Sequence, residues 1–322
     1  MVLSSCQSPA PGASAGHAYQ CTVMGICLRF ESNSAQLVHW IAQAFPQHQC
    51  SAQQNQCLIR ITIRPDNNKV IYQRPLLEYR VSDNILEAES KPVSLRADAF
   101  SGEASASVDA SVLDDKEFFL TDVVQCLSLF LICGRGRFPV HAAAVRSGET
   151  TLLLSGNSGF GKSSLAYACM RRGWELVSED TVFLDIQSGV SAWSNPRFIH
   201  LLPAARDRFP ELAGLPALQL PNGKTKIRIP VADKPCLPAT GLVLCRLIPR
   251  HSLAASRWRR AVASEVVAWM LDSREPGFDL AAEARALLGV ALGELPAVNL
   301  EIGHDADGLE ETMQDIVHAV AR

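Results

Sequence analysis

A glycine-rich segment with one lysine has the composition of a phosphate-binding loop. Residues 156–163 read Gly-Asn-Ser-Gly-Phe-Gly-Lys-Ser and match G-x-x-x-x-G-K-[ST] at every fixed position. Glycines let backbone N–H groups turn towards phosphate oxygens, and a helix that begins after them presents its positive end to the same anion. Lys162 can reach the outer phosphates, and the Ser163 hydroxyl is a ligand for Mg²⁺. Unless a Gly/Ser-rich turn matches by chance, we expect a nucleoside triphosphate to bind Gly156, Asn157, Ser158, Gly159, Phe160, Gly161, Lys162, Ser163 and Ser164.

Two adjacent carboxylates, Glu179 and Asp180, follow the strand-like run WELVS. Because Mg²⁺ prefers oxygen ligands, one carboxylate beside a triphosphate can orient the metal while the other accepts a proton from an acceptor hydroxyl. We place this run in a strand next to the strand that precedes the loop. The alternative interpretation is a solvated acidic turn.

A histidine, His141, opens the segment HAAAV just before the strand of the loop. Two adjoining strands would carry it to the acidic pair, where an imidazole can share a proton with a carboxylate. A lone histidine is more commonly an ordinary surface or core residue, so chemistry alone leaves its role open.

One basic strand alternates with apolar residues. Lys224, Lys226 and Arg228 alternate with Ile227 and Ile229, so one face of the strand is cationic. Lys226 and Arg228 are therefore candidates for contacts with the γ-phosphate or with a carboxylate of the acceptor. A solvated strand face is the commoner meaning of such a pattern.

A second basic segment, CRLIPRHSLAASRWRR, surrounds Trp258 with arginines. These are Arg246, Arg250, Arg257, Arg259 and Arg260. They can dock an acidic peptide, but most such residues are simply solvated.

The elements that position these residues alternate between strand and helix patterns. The run TLLLS precedes the loop, and a helix pattern begins at Lys162 and stops at Gly173. The strand-like runs TVFLDI, KTKIRIPV, GLVLCRLI and AVNLEI and three helix patterns follow, whereas the apolar run FFLTDVVQCLSLFLICG indicates a buried helix before the loop. We predict an α/β domain with a mixed sheet over residues 111–322.

The chain before this domain has a different pattern. Residues 19–110 contain short alternating runs and one amphipathic helix with Leu37, Ile41 and Phe45 spaced four apart, which predicts a smaller, mainly antiparallel α+β domain. The segment SGEASASVDAS resembles a linker in composition. Residues 1–18, rich in Pro, Ser and Ala, are expected to form a mobile tail.

Composition excludes some classes of function. A net charge of −3 and a pI near 6.2 argue against a nucleic-acid binder. The longest apolar run contains Asp122 and Gln125 and is short for a membrane span, so we expect no membrane partner. None of the ten cysteines forms a C-x-x-C pair, and several lie in apolar runs, which favours buried thiols and a cytoplasmic location.

Together these residues resemble the HPr kinase/phosphorylase family. That family has a histidine at the spacing of His141, which precedes the first loop glycine by fifteen positions, and a loop of the form G-x-S-G-x-G-K-S. It also has a segment R-G-h-x-L-h-x-D-D, in which h is apolar. Residues 172–180, RGWELVSED, match this segment with one departure, because Glu179 replaces its first aspartate.

The resemblance implies the fold shared with phosphoenolpyruvate carboxykinase and phosphorylation of a serine hydroxyl with ATP and Mg²⁺. It implies Glu179 as the base, His141 as its partner, and Ser163 with Asp180 at the metal. Glutamate is one methylene longer than aspartate, which alters the geometry rather than the chemistry.

The resemblance covers roughly residues 115–235. The glycine-rich signature that follows the active site of HPr kinases is replaced by NPRFIHLLP and PNGKTKIRIP, and the N-terminal region differs from the usual partner domain. The chain is therefore more similar to divergent HPr-kinase-like proteins. Some of these phosphorylate a precursor peptide, as lasso-peptide kinases do, and others act on a free amino acid.

The main hypothesis is a Mg-ATP-dependent kinase of a serine or threonine hydroxyl, on a precursor peptide of a biosynthetic pathway. One alternative is a small-molecule kinase that acts on free serine or a similar metabolite. Another is a nucleotide-dependent regulator that transfers no phosphate, although a histidine and two carboxylates favour transfer. The family tends to oligomerise, so a homo-oligomer is also expected.

Overall fold

The computed structural model describes residues 16–45, 56–65, 73–187, 189–194, 196–219, 223–231, 237–250, 252–272, 285–303 and 308–320. The described chain divides into two compact units. The N-terminal unit runs through Thr22 and then from Ile26 to Leu131, and the C-terminal unit comprises Val23–Gly25 and the chain from Ile132 onward. This division differs from the boundary at 110/111 that the sequence suggests.

The N-terminal unit is built on a seven-stranded mixed sheet. Its strands are β1 (His17–Val23), β2 (Ile26–Ser32), β3 (Gln56–Arg64), β4 (Tyr79–Ser82), β5 (Ile85–Ser90), β6 (Val93–Asp98) and β7 (Glu103–Asp109). The order across the sheet is β1-β2-β3-β7-β6-β5-β4. The first strand begins at His17, so the prediction of a mobile tail is wrong for residues 17 and 18; residues 1–15 lie outside the described chain.

Helix α1 (Ala35–Ala44) connects one of the two parallel pairs in this sheet, whose other described pairs are antiparallel as predicted. The helix begins after Ser34, whose hydroxyl accepts a hydrogen bond from the N–H of Leu37, and it buries Leu37 and Ile41. Since α1 connects β2 to β3, these strands run parallel, and β3 is also parallel to β7. The pairs β4–β5, β5–β6 and β6–β7 are antiparallel.

The predicted linker SGEASASVDAS is wrong, because it contains strand β7 between β3 and β6. Every second residue, Ala104, Ala106 and Val108, is buried, and the serines between them lie on the other face. Alanine and serine give this strand a weak hydropathy signal, although its period of two is that of a half-buried strand. The small side chains fit a central strand that has neighbours on both sides.

The long apolar helix α2 (Lys116–Gly134) begins after Asp115, whose carboxylate accepts from the N–H of Phe118. Its segment Phe119–Gln125 is π-helical. The helix is long and apolar enough to cross a membrane, but 61% of its apolar window is buried inside the protein, as the sequence predicts for a core helix. Tyr79 of β4 donates to the carbonyl of Asp122, which joins β4 to this helix within the N-terminal unit.

The C-terminal unit contains twelve described strands. They are β8 (Phe138–His141), β9 (Ala143–Ser147), β10 (Thr150–Ser155), β11 (Glu175–Ser178), β12 (Thr181–Asp185), β13 (Ser191–Trp193), β14 (Phe198–Leu201), β15 (Ala217–Gln219), β16 (Thr225–Pro230), β17 (Leu242–Pro249), β18 (Arg257–Arg260) and β19 (Ala297–Ile302). The main sheet has the order β11-β9-β10-β17-β19-β18, and two three-stranded sheets have the orders β13-β12-β8 and β14-β16-β15. The main sheet is mixed, as predicted, with β10, β17 and β19 parallel.

Helices cover both faces of the main sheet. They are α3 (Lys162–Arg171), α5 (Ala263–Asp272), α6 (Arg285–Gly293) and α7 (Gly308–Val320), with the short α4 (Ala205–Arg208) between β14 and β15. Leu152 and Leu154 of β10 belong to a core with α3 and α7, whereas Leu153 belongs to a core with α5 and α6. Because β10 is buried on both faces, its continuous apolar run is that of a central parallel strand.

Candidate functional site

The glycine-rich loop connects the end of β10 to the start of α3, as predicted. Gly159 and Gly161 have φ angles of +87° and +86°, which side chains rarely adopt. Gly156 is constrained in another way, since a Cβ there would lie 3.2 Å from the Cβ of Phe160 and 3.3 Å from the Cβ of Leu247, which is a tight approach. The motif glycines therefore meet two backbone conditions, a positive φ angle and a close approach.

The first turn of α3 has no side-chain cap. Gly161 occupies the N-cap position, so the preceding residue supplies no hydroxyl or carboxylate to the N–H groups of this turn. The Nζ atom of Lys162 is buried and donates to the carbonyl of Gly156 at 2.7 Å, across the base of the loop. Asn157, Ser158 and Gly159 are exposed at its tip. Such an arrangement can receive an anion from solvent.

The acidic pair lies at the same edge of the sheet as the loop. Strand β11 runs antiparallel to β9, which runs antiparallel to β10, so β10 and β11 point in one direction. The prediction that these two strands are neighbours is wrong, because β9 lies between them. Two strand spacings place the ends of β10 and β11 about 10 Å apart, a separation that a triphosphate and an acceptor can bridge.

His141 lies beside the second carboxylate. Strand β8 pairs with β12 so that His141 is opposite Thr181, the residue after the acidic pair. The Nδ1 atom of His141 is 3.5 Å from Oδ1 of Asp180. This nitrogen is buried without a hydrogen-bond partner, so the 3.5 Å contact is an approach and not a hydrogen bond. The predicted partnership of His141 with Glu179 is not formed.

Glu179 instead has a partner that the sequence analysis missed. The backbone N–H of His200 donates to Oε1 of Glu179 at 2.8 Å, and Nδ1 of the same residue lies 2.8 Å from Oε2. Because an ionised carboxylate can only accept, the imidazole is the donor in the second contact. The side chain of Glu179 is 14% exposed and that of Asp180 is 50% exposed. The two carboxylates thus have different environments.

The basic strand β16 lies next to His200. Arg228 is directly opposite His200 in the antiparallel pair β14–β16, and its guanidinium stacks 3.5 Å from the ring centroid of Phe198. Lys226 is two residues along the same strand and therefore on the same face. The structure thus brings the cationic face to the residue that holds Glu179, although the sequence gives no sign of this link.

The second basic segment is largely satisfied within the fold. Glu301 is buried and accepts from Arg257 at 2.7 Å, with Arg250 and Arg259 within 4.0 Å. The hydrogen bond from Arg257 holds the pKa of the Glu301 carboxyl below its usual value. Arg246 stacks over Trp269, and Arg260 donates to the carbonyl of Ala319. These contacts favour a structural role for the segment.

The described residues contain no cluster of three or more His, Cys, Asp or Glu side chains that would hold a metal unaided. A metal bound mainly by phosphate oxygens and water does not require one. The thiols near the site are inert: burial raises the pKa of Cys169 to about 12 and raises that of Cys245 as well. Cys126 and Cys133 are also buried, as the sequence predicts.

Comparisons with known proteins add little. No protein-family model and no curated protein matches the chain. Among solved structures, the chain is similar to the Hpr(Ser) kinase/phosphatase from Coxiella burnetii, with 12% identity and a TM-score of 0.29 over 56% of this chain and 88% of that chain. A likeness at this TM-score carries no argument, so the function must be inferred from the site itself.

Proposed function

We propose that the C-terminal unit is an ATP- and Mg²⁺-dependent kinase that transfers the γ-phosphoryl group to a serine or threonine hydroxyl of a peptide. The observation that supports this proposal is that a glycine-rich loop and two carboxylates lie at the same end of the main sheet. An uncapped glycine-rich loop lies at the end of β10, and two carboxylates lie about 10 Å away at the end of β11. Phosphoryl transfer needs these two parts, a phosphate cradle and a proton acceptor.

The nucleotide binds along the loop. Backbone N–H groups at the exposed tip of the loop and in the first turn of α3 donate to the phosphate oxygens, whereas the N–H of Phe160 donates to the carbonyl of Asn157. Lys162 exchanges the carbonyl of Gly156 for the outer phosphates, where its charge offsets that of the group being transferred. Ser164, in the same first turn, adds a second hydroxyl.

The donor set suits a magnesium ion bound together with the nucleotide. Ser163 offers a hydroxyl, and Asp180 offers a carboxylate that is half exposed and next to an unpartnered nitrogen of His141. When bound, the ion supplies neutralisation of phosphate charge. His141 lies beside Asp180, and its Nδ1 can form a hydrogen bond within the loaded site.

Glu179 accepts the proton of the acceptor hydroxyl. Both of its oxygens already accept one hydrogen bond from His200, but each carboxylate oxygen has two lone-pair directions. The acceptor oxygen attacks phosphorus as the bond to the leaving phosphate oxygen breaks, and its proton moves to the carboxylate. Lys226 and Arg228 lie on the face beside His200 and contact an anionic group of the acceptor or the γ-phosphate.

The test combines binding and transfer. Calorimetry of the purified full chain with Mg-ATP should show binding, and Lys162→Ala should weaken it. Radiolabelled ATP should then transfer phosphate to a serine-containing peptide, and free serine supplied in parallel separates a peptide kinase from a metabolite kinase. The proposal fails if the wild-type chain binds no adenine nucleotide, and binding without transfer to either acceptor would favour a regulator.

A further inference from the structure

We propose that His200 is a positioning residue for the transfer reaction, which fixes the carboxylate of Glu179 in the orientation needed to accept a proton. This inference rests on the proposed function of the site. It assigns to β14 a part of the active site that neither the loop motif nor the acidic pair indicates.

His200 contacts the side chain of Glu179 through two hydrogen bonds. The main-chain N–H of His200 donates to Oε1 of Glu179, and the ring Nδ1 donates to Oε2, both at 2.8 Å. Hydrogen bonds to a charged carboxylate are stronger than bonds between neutral groups. Two donors on different oxygens fix the plane of the carboxylate as well as its position.

A glutamate needs such a hold more than an aspartate does. Its side chain has one more rotatable bond, and ordering a long side chain costs up to about 2 kcal/mol of conformational entropy. A base must lie within hydrogen-bond reach of the proton that it accepts, so an unrestrained carboxylate would spend much of its time out of position. His200 selects one arrangement before the acceptor arrives.

His200 can do this because its strand is rigidly anchored. The residues on either side of it, Ile199 and Leu201, are fully or almost fully buried in the core that also contains Leu165 of α3. The same apolar core therefore supports the helix that follows the phosphate loop and the strand that holds Glu179. The hold is built on a strand of regular structure and does not depend on a loop.

The neighbours of His200 leave its ring free for this role. Arg228 is opposite it across β14–β16 but stacks on the ring of Phe198, whose centroid is 6.3 Å from the ring of His200. Thus a cation lies close without competing for Glu179. Among the described residues, Glu179 is the carboxylate that the ring of His200 contacts.

The experiment compares two substitutions that differ in one donor. His200→Ala removes the ring donor, whereas His200→Asn places an amide N–H close to the position of Nδ1. Both keep the backbone N–H bond to Oε1. His318→Ala, at an exposed histidine of α7, is the matched control.

We expect His200→Ala to lower kcat for phosphoryl transfer by about 10- to 100-fold, the usual effect of losing a supporting contact. The affinity for Mg-ATP, measured by calorimetry, should change less than about twofold, because no phosphate ligand is lost. His200→Asn should restore kcat to within a few-fold of wild type. In a Glu179→Gln background, His200→Ala should cause little further loss, because the two residues act as a unit.

Each other outcome overturns the inference. Wild-type kcat in His200→Ala, equal loss in the alanine and asparagine variants with matching melting temperatures, or full additivity with Glu179→Gln would each exclude positioning through Nδ1. If the wild-type chain neither binds nor uses Mg-ATP, the proposed function itself fails, and this inference fails with it. A wild-type chain that transfers phosphate together with an unaffected His200→Ala variant would reject the inference alone.

Discussion

The two units of this chain differ in how fully their buried polar atoms are hydrogen-bonded. On the N-terminal sheet, charged residues of neighbouring strands pair with each other, as Arg60 does with Glu31 and Glu103. In the described part of the C-terminal unit, three buried polar atoms have no hydrogen-bond partner: Nδ1 of His141, Nε1 of Trp193 and Oδ1 of Asn299. Of these three atoms, Nδ1 of His141 lies beside the acidic pair, 3.5 Å from Oδ1 of Asp180. An unpartnered buried polar atom calls for an explanation, and at this position a ligand can supply the missing partner.

The largest difference between the units is expected when one carboxylate is neutralised in each of them. Glu179→Gln should lower phosphoryl transfer by about 10²- to 10⁴-fold, the range for loss of a general base, with nucleotide affinity near wild type. Glu87→Gln, which removes the exposed partner of Arg96 in the N-terminal sheet, should leave transfer unchanged and alter stability by less than about 1 kcal/mol.

Glu149→Gln provides a further control within the C-terminal unit, since Glu149 is exposed in the turn at the opposite end of β10. The measurement is the rate of radiolabel transfer from ATP for each variant relative to wild type. Unchanged transfer in Glu179→Gln would remove Glu179 as the base.

A second test removes the same kind of apolar contact from each core. Leu165→Ala in α3 and Ile59→Ala in β3 truncate almost fully buried side chains, and each should reduce the free energy of unfolding by roughly 2–5 kcal/mol. Only Leu165→Ala should also weaken Mg-ATP binding, because Leu165 supports the first turns after the loop. Denaturant unfolding and calorimetry measure the two effects. Equal nucleotide affinity in both variants would contradict the link between this core and the site.

A third test compares a hydrogen-bonded asparagine in the N-terminal unit with an asparagine in the C-terminal unit whose side-chain oxygen has no partner. Asn33 is satisfied at both ends of its amide, since it donates to the carbonyl of Ile63 and accepts from the N–H of the same residue. Asn33→Leu should therefore destabilise the chain by about 1 kcal/mol. Asn299→Leu removes a buried oxygen without a partner, so we expect unchanged or slightly raised stability. A larger loss at Asn299 than at Asn33 would show that its amide is already satisfied in solution.

The smallest expected effect is a pH dependence of stability. The pKa of Glu301 is lowered by Arg257, and the pKa of Asp98 in the N-terminal unit is lowered chiefly by the backbone N–H of Ser101. A lowered folded-state pKa stabilises the fold above the unfolded value, about 4 for both types, and this stabilisation is lost as the pH falls through the folded-state pKa. Melting temperatures from pH 7 to 3 should show that the advantage of wild type over Glu301→Gln and Asp98→Asn narrows below about pH 4. A constant difference would contradict this sign.

The sequence predicts the position of the glycine-rich loop well because the requirements of its backbone are local. The positive φ angles of Gly159 and Gly161 and the close approach at Gly156 are fixed by neighbouring backbone, so a short motif is sufficient. The amphipathic helices α1 and α7 are confirmed for the same reason, since their buried stripes follow a local period. The roles of the site residues remain predictions.

The sequence does not predict which distant strands and side chains contact each other. Nothing in HAAAV shows that β9 lies between β10 and β11, and nothing in NPRFIHLLP shows that His200 reaches Glu179 across twenty-one positions. Strand β7 was missed because alanine and serine have little hydropathy contrast, although they fit a crowded central position. A strand–helix–strand sequence around α1 does indicate a parallel pair, and that signal was available.

Under the proposed function, the bond between Lys162 and the carbonyl of Gly156 must be exchanged before the ammonium group can contact a phosphate. Orthophosphate must displace the carbonyl oxygen of Gly156 from the ammonium group of Lys162. Its own interaction with the ammonium group is only a little more favourable than the hydrogen bond that is lost. A polyphosphate tail also reaches the amides and hydroxyls further along, so its length decides whether the exchange is favourable. Competition calorimetry should therefore show orthophosphate to be a poor rival of ATP, with pyrophosphate between them, and an orthophosphate affinity equal to that of ATP would refute this selection by length.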